Sequence, residues 1–156
     1  MLCHVLKLRS LVKYWLPVVL WMSLIFAVSG DKKSSLHSSR IIGPIMHWLF
    51  PKMTPATVAE VVLYVRKSAH LTEFAVLAAL FWFALRKPAR KDPRPWSWCT
   101  ARNAWLLAVA CAVSDEFHQH FVPGRTAAIL DVVIDATGAA AGLLLLWFIG
   151  RRLKFW

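Results

Sequence analysis

Acidic residues are scarce in this chain: eight carboxylates stand against nineteen lysines and arginines, a formal net charge of +11. Cysteine is scarcer still. Cys3, Cys99 and Cys111 include no pair at metal-site spacing, and none sits where an extracytoplasmic disulfide would form. That excludes a cysteine-ligated zinc module and a disulfide scaffold. A His-Glu-x-x-His motif is missing, which removes the helical zinc-protease signature. Internal repeats and low-complexity tracts are missing too, so a repeat array is excluded.

What the chain does have is apolar sequence in long blocks. Of its 156 residues 58% are hydrophobic, with nine Trp and nine Phe, against roughly 45–50% apolar in soluble domains. The length suits one domain and the blocks suit a membrane protein. A net charge of +11 raises nucleic acid as a partner, and Trp96 and Trp98 among the arginines of residues 86–102 resemble a stacking platform. The basic residues flank apolar blocks, however. Orientation in the membrane and contact with anionic lipid explain them with fewer assumptions, so membrane lipids and not nucleic acid are the expected partners.

Four apolar blocks are read as spans: residues 14–29, 57–85, 103–122 and 127–149. The first is short for a crossing that needs ~20 residues, but Leu11 and Val12 can extend it and Lys13 can snorkel. Ala27-Val28-Ser29 satisfies the small-residue rule for signal cleavage; Trp15, Pro17 and Trp21 favour a retained span instead. Thr54 or Thr57 can cap the second block and Pro88 follows it. Pro123-Gly124 ends the third. Twelve of the nineteen basic residues fall in the N-terminus, in the connection between the second and third blocks, and in the tail. The first connection holds only Lys32, Lys33, Arg40 and Lys52. By the positive-inside rule both termini are cytoplasmic. The expected fold is therefore all-α, a four-helix transmembrane bundle in a single domain. In the first connection, residues 41–50 read either as a short interfacial helix or as a hydrophobic loop plug, and residues 31–39 as a short disordered stretch.

The few acids are placed unusually. Glu73, Asp115, Glu116, Asp131 and Asp135 interrupt the spans, where ionisable groups are expensive and commonly functional. Arg66, His70 and Glu73 share one helix face, with Lys67 beside it. Asp115 and Gln119 share a face of the third span, and Glu116 and His120 the adjoining one. Asp131 and Asp135 lie one turn apart on the fourth. Helix direction puts all of these, with Arg125 in the intervening turn, in the outer half of the bilayer. Below them Gly138, Ala139, Ala140, Ala141 and Gly142 permit close helix packing.

Two stretches resemble the VanZ family of small bacterial membrane proteins. One is Arg66-Lys67-Ser68-Ala69-His70 followed by Glu73-Phe74. The other runs from Asp115-Glu116-Phe117-His118-Gln119-His120 through Pro123-Gly124-Arg125 to Asp131 and Gly138. The family often carries Asn where this chain has Asp135 and Tyr where it has Phe74. A serine-rich stretch after the first span is also typical, to which Ser29, Ser34 and Ser35 are similar. The resemblance implies a multi-pass protein of the bacterial cytoplasmic membrane and, from some relatives, a link to glycopeptide resistance. It implies no settled reaction.

The residues themselves allow several chemistries. In one, an enzyme or tight binder handles a lipid-linked or cell-wall molecule at the outer leaflet. Arg66, Lys67 and Arg125 would meet its phosphates or carboxylates, with His118, Gln119, Asp131 and Asp135 completing the binding set. His70 suits acid–base work, since an unperturbed histidine titrates near ~6.5. Crowded carboxylates compete for protons, which suits one of Glu73, Asp115 or Glu116 to a general-acid role. A second is a divalent-metal site from His70, Glu73, Asp115, Glu116 and His118 or His120. In a third the charges only pair: Arg66 with an acid, His70 with Glu116, Arg125 with Asp131. A fourth is an accessory role through the surface of Arg40, His47, Trp48 and Lys52. The cofactor and the oligomeric state stay open.

Overall fold

A computed structural model describes residues 2–29, 34–88, 94–122 and 128–155, with side chains from residue 11 onward except those of 34–39 and 41. The described residues form five helices and no strand: α1 (Leu2–Ser29), α2 (Ser34–Leu49), α3 (Pro55–Arg86), α4 (Trp98–His120) and α5 (Ile129–Arg152). Helices are the expected outcome for long apolar blocks, because lipid cannot satisfy open backbone groups.

α1 extends the first block back to Leu2, and its portion Leu11–Ser29 is long and apolar enough to cross a membrane. Pro17 lies within it. Val18 and Ile25 face inward, and Trp15 packs edge-on against Phe81 at 6.3 Å. The connection after α1 corrects an expectation: α2 begins at Ser34, so the disorder expected for residues 31–39 gives way to helix over 34–39. The physical reason is continuity with the apolar residues 41–50, which carry the helix and let it pack on α3. Residues 31–33 lie outside the described residues.

Thr54 caps α3, accepting the Thr57 N–H at 3.2 Å, with Pro55 in the first turn where a missing N–H costs nothing. α3 stops at Arg86, where Lys87 adopts a left-handed conformation (φ 48°) ahead of Pro88 and its N–H returns to Phe83 O at 2.8 Å. α4 starts five residues before the expected boundary. The Ser97 hydroxyl accepts the Thr100 N–H at 3.2 Å and draws Trp98 to Arg102 into the helix.

Three helices are long and apolar enough to cross a membrane: Leu11–Ser29, Pro55–Arg86 and Ile129–Arg152. α4 has 23 residues, or ~34 Å at 1.5 Å per residue. Its last two turns read Ser114-Asp115-Glu116-Phe117-His118-Gln119-His120, and that polarity sets it apart.

α3 is the hub, touching each of the other four helices and α5 most extensively. The α3–α5 approach is set by two glycines. A Cβ at Gly138 would sit 2.2 Å from the Leu71 carbonyl oxygen, and one at Gly142 would sit 2.5 Å from that of Ala75. The small residues foreseen as packing surface thus bring two backbones together. α4 presents a seam of small residues, Ala101, Ala104, Ala108 and Ala112, each at most 5% exposed.

At the end of the bundle away from the acids, Trp82 stacks on Trp96 (4.9 Å), and Trp98 meets both Trp96 (5.8 Å) and Trp147 (5.7 Å). Buried Arg86 lies over Trp82 at 5.1 Å. Its guanidinium donates to Pro95 O at 2.8 Å and to Arg94 O, while Arg94 returns a bond to Arg86 O at 2.9 Å. A fixed fork of donors suits this two-carbonyl grip on the start of α4.

Candidate functional site

Packing at Gly138 sets the site's register. Because Gly138 is held to Leu71, Asp135, one turn earlier on α5, arrives beside His70 on α3. The His70 Nδ1 stands 3.9 Å from Asp135 Oδ1 and 4.0 Å from Glu73 Oε2. Both distances exceed a hydrogen bond. One turn nearer the α4–α5 connection, Lys67 Nζ pairs with Asp131 Oδ1 at 3.5 Å, both side chains about two-fifths exposed.

α4 contributes the third side. Its alanine seam continues into Asp115 and Gln119, spaced three and seven residues beyond Ala112, so both point inward. Gln119 Nε2 donates to Asp115 Oδ2 at 2.8 Å. Glu116, on the adjoining face, is also buried, and its Oε2 accepts the Ala128 backbone N–H at 2.9 Å. That carboxylate caps α5, whose N-terminal dipole end favours negative charge. Glu73, Asp115, Glu116 and Asp131 all lie close enough to Asp135 to interact with it electrostatically.

Three polar atoms here are buried without a hydrogen-bond partner: His70 Nδ1, Asp115 Oδ1 and Asp135 Oδ1. Asp115 and Asp135 are each 1% exposed. Most buried polar atoms are paired, and each exception calls for an explanation such as a bound water, an ion or a catalytic role. Proton exchange between an imidazole and flanking carboxylates, and acceptance of donors from a ligand, are both within this arrangement's chemistry. A metal fits it less well: among the described residues no three His, Cys, Asp or Glu side chains converge as ligands would.

Of the residues read from sequence as functional, His70, Glu73, Asp115, Glu116, Asp131 and Asp135 come together with Lys67 and Gln119. His118 turns toward α1, its ring 6.0 Å from that of Phe26, and is exposed. Arg66 stays on α3 one turn from His70, half-buried. Arg125 lies outside the described residues. One pairing differs from expectation: the close acids of His70 are Glu73 and Asp135, with Glu116 farther off. Asp131 pairs with Lys67, and the Arg125 expected beside it lies outside the described residues.

Two supporting residues escaped the sequence reading. Trp21 Nε1 donates to the Glu73 carbonyl and Trp105 Nε1 to that of Ala136, each at 2.9 Å. Both indoles fasten the turns that carry site carboxylates. For Trp21 the clue was its mid-span position, since an indole N–H in lipid must find a partner inside the protein. Ser29, at the end of α1, is 2% exposed.

Neither a curated protein nor a solved structure matches the chain. The family model described as VanZ/LLP1 matches residues 14–150, most of its length. With the Arg-Lys-Ser-Ala-His and Asp-Glu-Phe-His-Gln-His stretches carried by helices that converge, the chain belongs to the VanZ-like family.

Proposed function

We propose that this protein crosses the bacterial cytoplasmic membrane four times with both ends inside. It binds or modifies a cell-envelope or lipid-linked molecule at the outer leaflet, through the polar cluster of α3, α4 and α5. The observation that carries this reading is that three helices bring acids and a histidine to one place while leaving buried acceptors and an imidazole nitrogen unmatched. Charges that served packing alone would be matched. His70 is the acid–base group, Glu73, Asp115 and Glu116 the carboxylates that exchange protons with it or with the ligand, and Arg66, Lys67 and Arg125 the groups that meet its anionic parts. Family membership adds glycopeptide resistance as the phenotype to examine.

The fourth crossing follows from parity. The tail carries Arg151, Arg152 and Lys154. With three crossings from a cytoplasmic N-terminus those charges would end outside, against the positive-inside rule.

The test is growth under teicoplanin of a bacterial host expressing the protein. Glu116→Gln and His70→Asn should abolish protection while the protein remains in the membrane at normal level. Full protection by both variants overturns the reading.

A second reading has its own support. Glu116 caps α5, Lys67 holds Asp131 and Gln119 holds Asp115, all contacts of a purely architectural kind. In that case the accessory surface of Arg40, His47, Trp48 and Lys52, all exposed, does the binding. Alanine changes there would then remove protection, and the cluster variants would lose only stability.

A further inference from the structure

We propose that the groove between the outer ends of α4 and α5 seats a membrane phospholipid whose headgroup carries a primary ammonium. This rests on the reading of the cluster as a binding site and names the ligand chemistry.

The groove has a volume of about 400 Å³, within the ~300–1,000 Å³ of small-molecule sites. Its walls are Val113, Phe117, Ile129 and Val132, and Glu116 and His120 supply its polar groups. Polarity is graded along its length. Glu116 and His120 lie toward the α4–α5 connection, and Val113 and Val132 about one turn deeper on their helices. An amphiphile with its head at the connection and its chain along the valines matches that gradient; the reverse orientation does not. Phe117 and Ile129 are 68% and 85% exposed, so the groove opens sideways, where a lipid enters.

Charge selects the headgroup. Glu116 spends one oxygen on the Ala128 N–H and keeps the other. Asp115 and Asp131 interact with it electrostatically, as Glu73 and Glu116 do with Asp135, and the Oδ1 atoms of Asp115 and Asp135 have no hydrogen-bond partner. Among the described cations, Lys67 is already engaged by Asp131. The remaining Glu116 oxygen, with unmatched acceptors nearby, suits a cation that can also donate. A primary ammonium offers positive charge and three N–H donors. A trimethylammonium offers charge without donors, and a glycerol headgroup offers hydroxyls on a net anion. His120 at the mouth can donate to the lipid's phosphate.

The full chain, purified into nanodiscs of equimolar phosphatidylethanolamine, phosphatidylcholine and phosphatidylglycerol, is tested by native mass spectrometry of the lipids it retains. Phosphatidylethanolamine should be retained about tenfold over each of the others, the scale of a charge-assisted bond. Glu116→Gln should bring retention close to parity, and Val113→Trp, which fills the groove without touching charge, should lower it as far. Glu60→Gln, an exposed acid outside the cluster, should change nothing. Equal retention of the three lipids by the unmodified protein overturns the proposal, as does a preference that survives both Glu116→Gln and Val113→Trp. No lipid preference together with lost teicoplanin protection in the cluster variants removes this inference alone. A preference as described with full protection in those variants removes the functional reading instead.

Discussion

Gly138 has no room for a side chain. A methyl group there would overlap the Leu71 carbonyl, a backbone atom that moves only if α3 and α5 part. Gly138→Ala should therefore lower stability by about 1–3 kcal/mol, the usual cost of overpacking, and shift Asp135 away from His70. Gly43 in α2 makes the control, because a Cβ there meets nothing within 4 Å. Gly43→Ala should stay within ~1 kcal/mol of the parent, because the gain in helix propensity is offset by crowding against Pro44, which follows it. Thermal unfolding of the two variants in detergent makes the comparison. A Gly138→Ala protein as stable as the parent would show that the backbones do not touch as described.

Among the elements, α5 depends on its neighbour for a start. Ala128 provides no side-chain cap, and the Glu116 carboxylate on α4 takes the role. Glu116→Ala should fray the first turn of α5, at a cost of ~1 kcal/mol typical of a lost cap. Glu116→Gln keeps an acceptor oxygen and should hold that turn. Hydrogen exchange of the amides of Asp131 and its neighbours distinguishes them: faster in the alanine variant, near parental in the glutamine variant. That separation is why glutamine is the right change for questions of function. α4 is tied to α3 at its other end by Arg86. Arg86→Lys keeps the charge but loses the fork that reaches Pro95 and Arg94 together. It should cost about 1–3 kcal/mol in thermal unfolding.

For the molecule as a whole, topology is the property to test. Cys99 is exposed and lies at the basic end of the bundle. In a variant with Cys3 and Cys111 changed to serine, a membrane-impermeant thiol reagent should leave Cys99 unlabelled in intact cells and label it after permeabilisation. A cysteine placed at Lys52 should label in intact cells. Labelling of Cys99 from outside would reverse the orientation and with it the leaflet assigned to the cluster.

Much of this was legible in the chain itself. Apolar block length and the ban on open backbone in lipid determined an all-helical protein, and helical periodicity determined that Asp115 with Gln119, and Asp131 with Asp135, would share faces. The sequence likewise showed small residues at 138–142 but not what they would meet. Only tertiary packing decided that Gly138 abuts Leu71, that His70 therefore looks at Asp135 and Glu73, and that Lys67 takes Asp131. It also decided that Glu116 caps a helix twelve residues away in sequence and that Trp21 and Trp105 brace the site. The physical reason is that periodicity fixes direction about one helix axis. Partnership depends on the rotation and register of two helices, which close contacts at particular small residues set.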